Sequence, residues 1–350
     1  MKPVRIVNSV APIRVCDNGG WTDTWFAKHG RIFNIAVYPY AEVQLKVFEP
    51  ERGQTRIVIH AENYGERYEI GPHQAGQYSK HPLLEAAFDY MKVPDDIGIE
   101  ASIYSDAPAG ASTGTSAAVS VALIGALDLL TPGRLTAYEV AMAAHAIETD
   151  LLKLQSGIQD QLASAYGGIN LIQMHQFPHA SVSPIQIPDS NWWELESRLS
   201  LIYVGQPHSS SETHKLVISE LEAEGPEAPR LQALRTTADK SLDALYAGDF
   251  ASLGRAMMEN TRYQQALHPA LLSPAHQAII DIARNHKAAG WKLNGAGGDG
   301  GSVTILGSGD PVAKRAMVRQ IEQSNPQFKN IPLYLSRMGL RRWESRAVSV

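Results

Sequence analysis

The residues best suited to chemistry fall in a few clusters, and the densest reads Asp106-Ala-Pro-Ala-Gly110-Ala-Ser-Thr-Gly114-Thr-Ser116-Ala-Ala118. Glycines stand at 110 and 114 and hydroxyls at 112, 113, 115 and 116. A strand-like run, Ile97 to Tyr104, leads in, and an apolar stretch, Val119 to Leu130, leads out as a buried helix. A strand, a loop of small side chains and a helix N-terminus make an anion site, because unpaired backbone N–H groups point outward and the helix dipole favours negative charge. Side chains this small let a polyphosphate lie against the backbone. A tight turn before a core helix is the competing reading. No Lys follows Gly114 in a GxxxxGK[ST] frame, so the loop is not of the Walker type.

Other stretches carry carboxylates in unusual company. Arg14-Val-Cys-Asp-Asn-Gly-Gly-Trp-Thr-Asp-Thr24 puts two glycines, a Trp and two carboxylates in a loop between strands. It is either a binding surface or a hairpin turn anchored by Trp21. In Gln155-Ser-Gly-Ile-Gln-Asp-Gln-Leu-Ala-Ser-Ala-Tyr-Gly-Gly168, Asp160 is flanked by amides: a carboxylate in a partly closed place, or an N-cap for a short helix. Glu148 falls late in a helix, where the dipole disfavours it unless a cation compensates; a solvated surface carboxylate is the alternative. Trp291-Lys-Leu-Asn-Gly-Ala-Gly-Gly-Asp-Gly-Gly-Ser-Val-Thr-Ile-Leu306 holds a literal GxGxxG at 295, 297 and 300. A strand rather than a helix follows it, which excludes a dinucleotide fold and leaves a strand–glycine-loop–strand that something approaches closely. His208 and His214 lie six apart in a Ser-rich loop, a poor metal spacing, so no transition metal is expected.

The elements that must position these groups follow from periodicity. Val4–Ile13 and Arg31–Val47 alternate as strands, Arg56–Glu62 is a further strand, and His81–Met91 a short helix. Thr136-Ala-Tyr-Glu139 has capping-box spacing and opens a helix to about Leu154. A Pro-, Ser- and His-rich stretch, Pro178 to Ser190, reads as a domain junction, giving units 1–185 and 195–350. Leu199–Val204 is a strand, helices dominate to Ala289, Asp310-Pro311 starts a helix to about Gln323, and Ile331–Leu335 and Leu340–Glu344 close the chain as strands.

With 350 residues, 44% hydrophobic and 19% charged, the chain is expected to be a two-domain soluble protein. A formal net charge of −5 argues against a nucleic-acid or anionic-membrane partner, and the single Cys16 against a disulfide framework or Cys-rich metal site. No signal segment or membrane-length apolar run is evident, so a cytoplasmic enzyme or binding protein is expected.

Taken together and in order, the clusters resemble the motifs of the GHMP kinases. The central loop is similar to their PxxxGLGSSAA pattern, matching at Pro108, Gly110, Gly114, Ser116 and Ala118 and departing at Ser112, Thr113 and Thr115. Ala11-Pro-Ile-Arg14 with Gly20-Trp-Thr-Asp23 resembles the first motif in its sugar-kinase form, and Gly19-Gly-Trp-Thr-Asp-Thr24 is especially similar to fucokinase-type enzymes. Gly157-Ile-Gln-Asp-Gln161 resembles the segment bearing the catalytic Asp, and Lys292-Leu-Asn-Gly-Ala-Gly-Gly298 the third motif, with Asp299 inserted. Asp17, Asn18 and Trp25-Phe26 depart from the pattern beside the acceptor pocket.

The resemblance implies an α+β, two-domain fold, with an N-terminal ribosomal-S5-like α/β domain and a C-terminal ferredoxin-like domain. It implies ATP on Pro108, Gly110, Ala111, Ser112, Thr113, Gly114, Thr115 and Ser116, with Mg2+ on Ser116 and Glu148. Asp160 would be the catalytic base, steadied by Arg14. Asp23, Trp21, Gly20, Gly297 and Gly298 would bind the acceptor, Trp21 packing on a sugar ring or serving as a core anchor. The implied reaction is transfer of the γ-phosphoryl group of ATP to a hydroxyl, taken as the anomeric one, of a sugar or of a sugar phosphate such as a heptose 7-phosphate. A kinase of a mevalonate-like alcohol and a non-catalytic sugar sensor stay open, as does the oligomeric state, a homodimer included.

Overall fold

The computed structural model describes residues 3–49, 56–70, 77–206, 215, 217, 218, 220, 221 and 224–345. His208 and His214 lie outside the described residues.

Alternating apolar residues build a long hairpin, β1 (Arg5–Asn18) and β2 (Gly30–Phe48). β1 does not stop at Ile13 as expected. It continues to Asn18, with register shifts between Pro12 and Ile13 and between Val15 and Asn18. Arg14 and Asp17 therefore sit on a strand, and the irregularities re-aim their side chains. The loop proper begins at Gly19 (φ 89°), where a Cβ would fall 2.0 Å from the Arg31 carbonyl oxygen.

The hairpin is the centre of a nine-stranded sheet. β3 (Ile57–Ala61), β4 (Glu66–Ile70) and β5 (Gly98–Ser105) extend one side, with β3 and β5 parallel. β6 (Ile169–Gln176) pairs with β2, and β7 (His179–Pro184) with β6. The first half of the expected junction at 178–190 is thus an edge strand of the first sheet, its exposed polar residues reflecting a solvated edge.

Four helices pack with this sheet: α1 (Pro82–Met91), α2 (Thr115–Asp128), α3 (Ala137–Ala146) and α4 (Gln159–Tyr166). α2 is apolar nearly all round and accordingly buried nearly all round. Its Gly125 receives Leu340, whose Cδ1 would lie 2.6 Å from a Cβ there. At α3 the expected capping box forms, with Thr136 Oγ1 accepting from Glu139 N at 3.3 Å and Glu139 Oε2 from Thr136 N at 2.7 Å. The helix does not run on regularly to Leu154; a π-turn, Ile147–Leu151, follows Ala146 and carries Glu148. π-turns recur at functional sites.

After α5 (Asp189–Arg198), a second, four-stranded antiparallel sheet is ordered β11 (Lys329–Ile331), β8 (Leu199–Tyr203), β10 (Ser302–Leu306), β9 (Gly290–Leu293). α7 (Phe250–Gln265), α8 (Pro274–Asn285) and α9 (Pro311–Ser324) accompany it, while α6 (Pro229–Tyr246) packs against α7 and against the β1–β2 hairpin of the first sheet. Ile202, Ile279, Leu293, Val303, Ile305 and Ile321 form the core of the second unit. The 195–350 segment is not all in this unit. β12 (Tyr334–Leu335) pairs with β2 and β13 (Arg341–Ser345) with β1, so the chain ends back in the first sheet.

Candidate active site

α2 begins at Gly114 (φ 69°), which supplies no side-chain cap. The first intrahelical bond runs from Ala118 N to Gly114 O at 2.9 Å, so the amides of 115–117 have no intrahelical acceptor. Thr115, Ser116 and Ala117 line a cavity of about 540 Å³, together with Gly110, Ala111, Ser112, Thr113 and Gly114. Pro108 is not in the wall; its carbonyl accepts Ala111 N at 3.2 Å and closes the turn.

The glycine-rich loop between β9 and β10 lies against this turn. A Cβ on Gly301 would fall 2.4 Å from Ser112 Oγ, and one on Gly295 would fall 2.9 Å from Ser112 O. Ser302 Oγ donates to Ala111 O at 2.6 Å. Glycine is required here so that one backbone can support another. Gly295 and Ala296 reach the cavity. Gly297 and Gly298 do not line it; Gly298 N donates to Leu271 O at 3.0 Å, and a Cβ on Gly297 would lie 2.5 Å from that oxygen. They shape the loop from behind.

Asp160 is the second residue of α4, whose cap position, Ile158, makes no side-chain hydrogen bond, so Asp160 is not an N-cap. Its carboxylate accepts Arg14 Nε at 2.8 Å and Arg14 Nη2 at 3.1 Å, a bidentate pair. Arg14 Nη1 also donates to Ser112 O. A Cβ on Gly114 would lie 3.2 Å from the Asp160 carboxyl carbon, so the carboxylate borders the start of α2. The Arg14 side chain is 4% exposed and that of Asp160 30%. Burial opposes the Arg14 charge, but Asp160, Asp17 and Asp23 outweigh it and hold the guanidinium's pKa above its ordinary value.

Asp23 is buried, lines the cavity and accepts Gln159 N at 3.1 Å. Burial first, and then the Asp160 charge, push its carboxyl up to about 6. Trp21 serves as a core anchor, clustering with Phe26, Leu231 and Leu271, and it also lines the cavity. Gly20 is outside the wall, and a Cβ there would fall 2.9 Å from Asp17 Oδ2.

Glu148 is buried rather than solvated, and it faces the same cavity as Ser116. Its Oε2 accepts Gln161 Nε2 at 3.0 Å, while Oε1 is buried without a hydrogen-bond partner. Burial pushes this carboxyl up to about 7, the Asp160 charge adds to that, and Ser156 and Gln161 oppose it. An orphaned carboxylate oxygen and a hydroxyl on one cavity fit a hard divalent cation. Because the folded protein binds this proton more tightly than the unfolded chain, the associated stability is present at low pH and lost as pH rises through about 7. Relative to Glu148→Gln, metal-free wild type should lose about 5 °C in Tm between pH 5 and 8. Parallel Tm profiles for the two proteins would place the titration elsewhere.

Sequence reasoning missed two features. Asn63, Tyr64, His81, Leu83, Ile103 and Val119 also line the cavity, with the Tyr64 and His81 rings 4.8 Å apart. No local pattern marks them, since β3, α1 and β5 converge only in the fold. Asp17, noted only as a departure, makes a buried ion pair with Lys292 at 3.2 Å and accepts Gly295 N at 3.0 Å. Among the described residues no helix is long and apolar enough to cross a membrane.

Two family models match the chain: GHMP kinases N terminal domain over residues 82–168 and GHMP kinases C terminal over residues 241–320. A D-glycero-alpha-D-manno-heptose 7-phosphate kinase from Campylobacter jejuni is 24% identical over 73% of this chain and 73% of its own length. A mevalonate kinase from Pyrococcus abyssi is 32% identical over 61% of this chain and 60% of its own. Among solved structures, a D-glycero-D-manno-heptose 1-phosphate kinase from Bacteroides thetaiotaomicron superposes with a TM-score of 0.73 at 23% identity, covering 96% of this chain and 98% of that one.

Proposed function

Since this chain belongs to the GHMP kinase family, we propose that it is an ATP- and Mg2+-dependent sugar kinase, transferring the γ-phosphoryl group to a sugar hydroxyl, the anomeric one. One observation carries the reading: a carboxylate clamped by a buried Arg borders an uncapped helix N-terminus inside one cavity. The amides of 115–117 and the small-residue loop take the phosphates, and the aromatic pair Tyr64 and His81 takes the base. Asp160 accepts the proton of the sugar hydroxyl as its oxygen bonds to phosphorus and ADP departs. Arg14 keeps Asp160 oriented, and its charge stabilises the equatorial oxygens of the transferring group. Mg2+, bound through Ser116 and Glu148, would neutralise phosphate charge.

A sugar is favoured over other alcohols by the relatives matched over most of the chain. The 32% identity to a mevalonate kinase supports a second reading, a kinase of a non-sugar alcohol. The test is ADP release over free sugars, sugar phosphates, mevalonate and homoserine. Turnover is expected with a sugar, dependent on Mg2+, at about 1–100 s⁻¹. Turnover on mevalonate alone would establish the second reading. Tight ATP binding without turnover on any acceptor would make the protein a sensor.

A further inference from the structure

We infer that the acceptor is an uncharged sugar, not a sugar phosphate or a sugar acid. This rests on the kinase reading above and follows from which charges at the cavity are already matched.

Among the described residues, Arg14 is the only Arg or Lys in the cavity wall, against the carboxylates of Asp17, Asp23, Glu148 and Asp160. Three of the five Arg14 N–H donors are used, two on Asp160 and one on Ser112 O, and its remaining charge is the one the transferring phosphoryl group calls on. Lys292 neutralises Asp17 but is wholly buried behind it and does not line the cavity. His81 also lines the cavity, but its ring lies tilted against Tyr64 at 4.8 Å and its Nε2 is engaged by Glu66 at 3.3 Å. Asp23 makes no ion pair with any described residue. Its neighbours include Gln159, whose N–H it accepts at 3.1 Å, and Gly157, where a Cβ would fall 2.1 Å from Asp23 Oδ2; Trp21, Thr24, Gln155 and Ser156 line the same cavity. Gln159 Oε1 is buried without a partner, a second hydrogen-bond acceptor left open.

The wall beside Asp23 therefore offers acceptors and the indole of Trp21 but no free cation among the described residues. Sugar hydroxyls satisfy it, because each can donate a proton to Asp23 or Gln159 while ring C–H groups pack on Trp21. A phosphate or carboxylate placed there would be desolvated beside a like charge, with no free cation among the described residues to pair it.

Matched sets test this in the ADP-release assay: a free hexose, its 6-phosphate and its uronic acid, together with a free heptose and its 7-phosphate. For the ring stereochemistry that is turned over, kcat/KM for the neutral member should exceed that of each anionic member by about 10²-fold or more. In Asp23→Asn the gap should narrow by about 10-fold, with far-UV circular dichroism unchanged. An anionic member used as well as its neutral counterpart overturns the inference while leaving the kinase reading intact. Absence of turnover on every member overturns both. A gap unchanged in Asp23→Asn overturns the assignment of selectivity to Asp23.

Discussion

Asp160→Asn is expected to lower kcat by about 10²–10⁴-fold while leaving the fold and ATP affinity close to wild type. The substitution keeps the size of the side chain and its place in α4. The amide oxygen still accepts one of the two Arg14 donors now 2.8 and 3.1 Å from the carboxylate. What it removes is the ability to take the acceptor's proton as the new O–P bond forms. Nucleotide affinity should persist, because the loop 110–116 and the start of α2 are supported by Gly295, Gly301 and Ser302 rather than by Asp160 alone. Single-turnover ADP formation and ATP titration calorimetry separate the two effects. Wild-type turnover in the variant would remove Asp160 from the mechanism, and loss of ATP binding would make it a phosphate-loop residue instead.

How much of this was legible in the chain depends on whether the information is local. The small-residue loop ahead of α2 was, because Gly114, the small residues before it and the apolar run after it are contiguous and each carries its own conformational meaning. The capping box at Thr136 was legible for the same reason. Arg14 was assigned through resemblance, and its actual lever, a strand that continues through two register shifts, has no signature in an Arg-Val-Cys-Asp run. Gly297 and Gly298 were placed at the acceptor through resemblance, while the loop itself says only that backbone or ligand approaches closely; the backbone of Leu271 does. The return of β12 and β13 to the first sheet was equally hidden, since the strands themselves can be recognised but their partners lie some three hundred residues away. Asp17 is the sharpest case. In the sequence it is a loop carboxylate that departs from the family pattern, and its role is visible only once its buried partner, Lys292, is seen.

That pair leads to the second large expectation: Asp17→Ala should cost about 3–5 kcal/mol of stability, because it strands an ammonium in the interior. Both side chains are 1% exposed. Burial already holds the Lys292 pKa below its ordinary value, with Asp17 the largest opposing influence. Gln264 Oε1, 3.0 Å from Nζ, and the Leu293 carbonyl can still accept, but neither carries a full charge. Asp17→Leu with Lys292→Met should recover most of the loss, since apolar groups of similar volume often replace buried ion pairs at little cost. Activity should not recover with it. Asp17 also accepts Gly295 N at 3.0 Å, and Gln264, held by Lys292, donates to Gly295 O at 2.7 Å. The pair thereby grips both sides of the residue that backs Ser112 and approaches Arg14 Nη2, where a Gly295 Cβ would fall 3.4 Å away. Urea denaturation and kcat/KM measured on the single and double variants separate the two roles. A double variant as active as wild type would mean that the ion pair stabilises the fold and positions nothing.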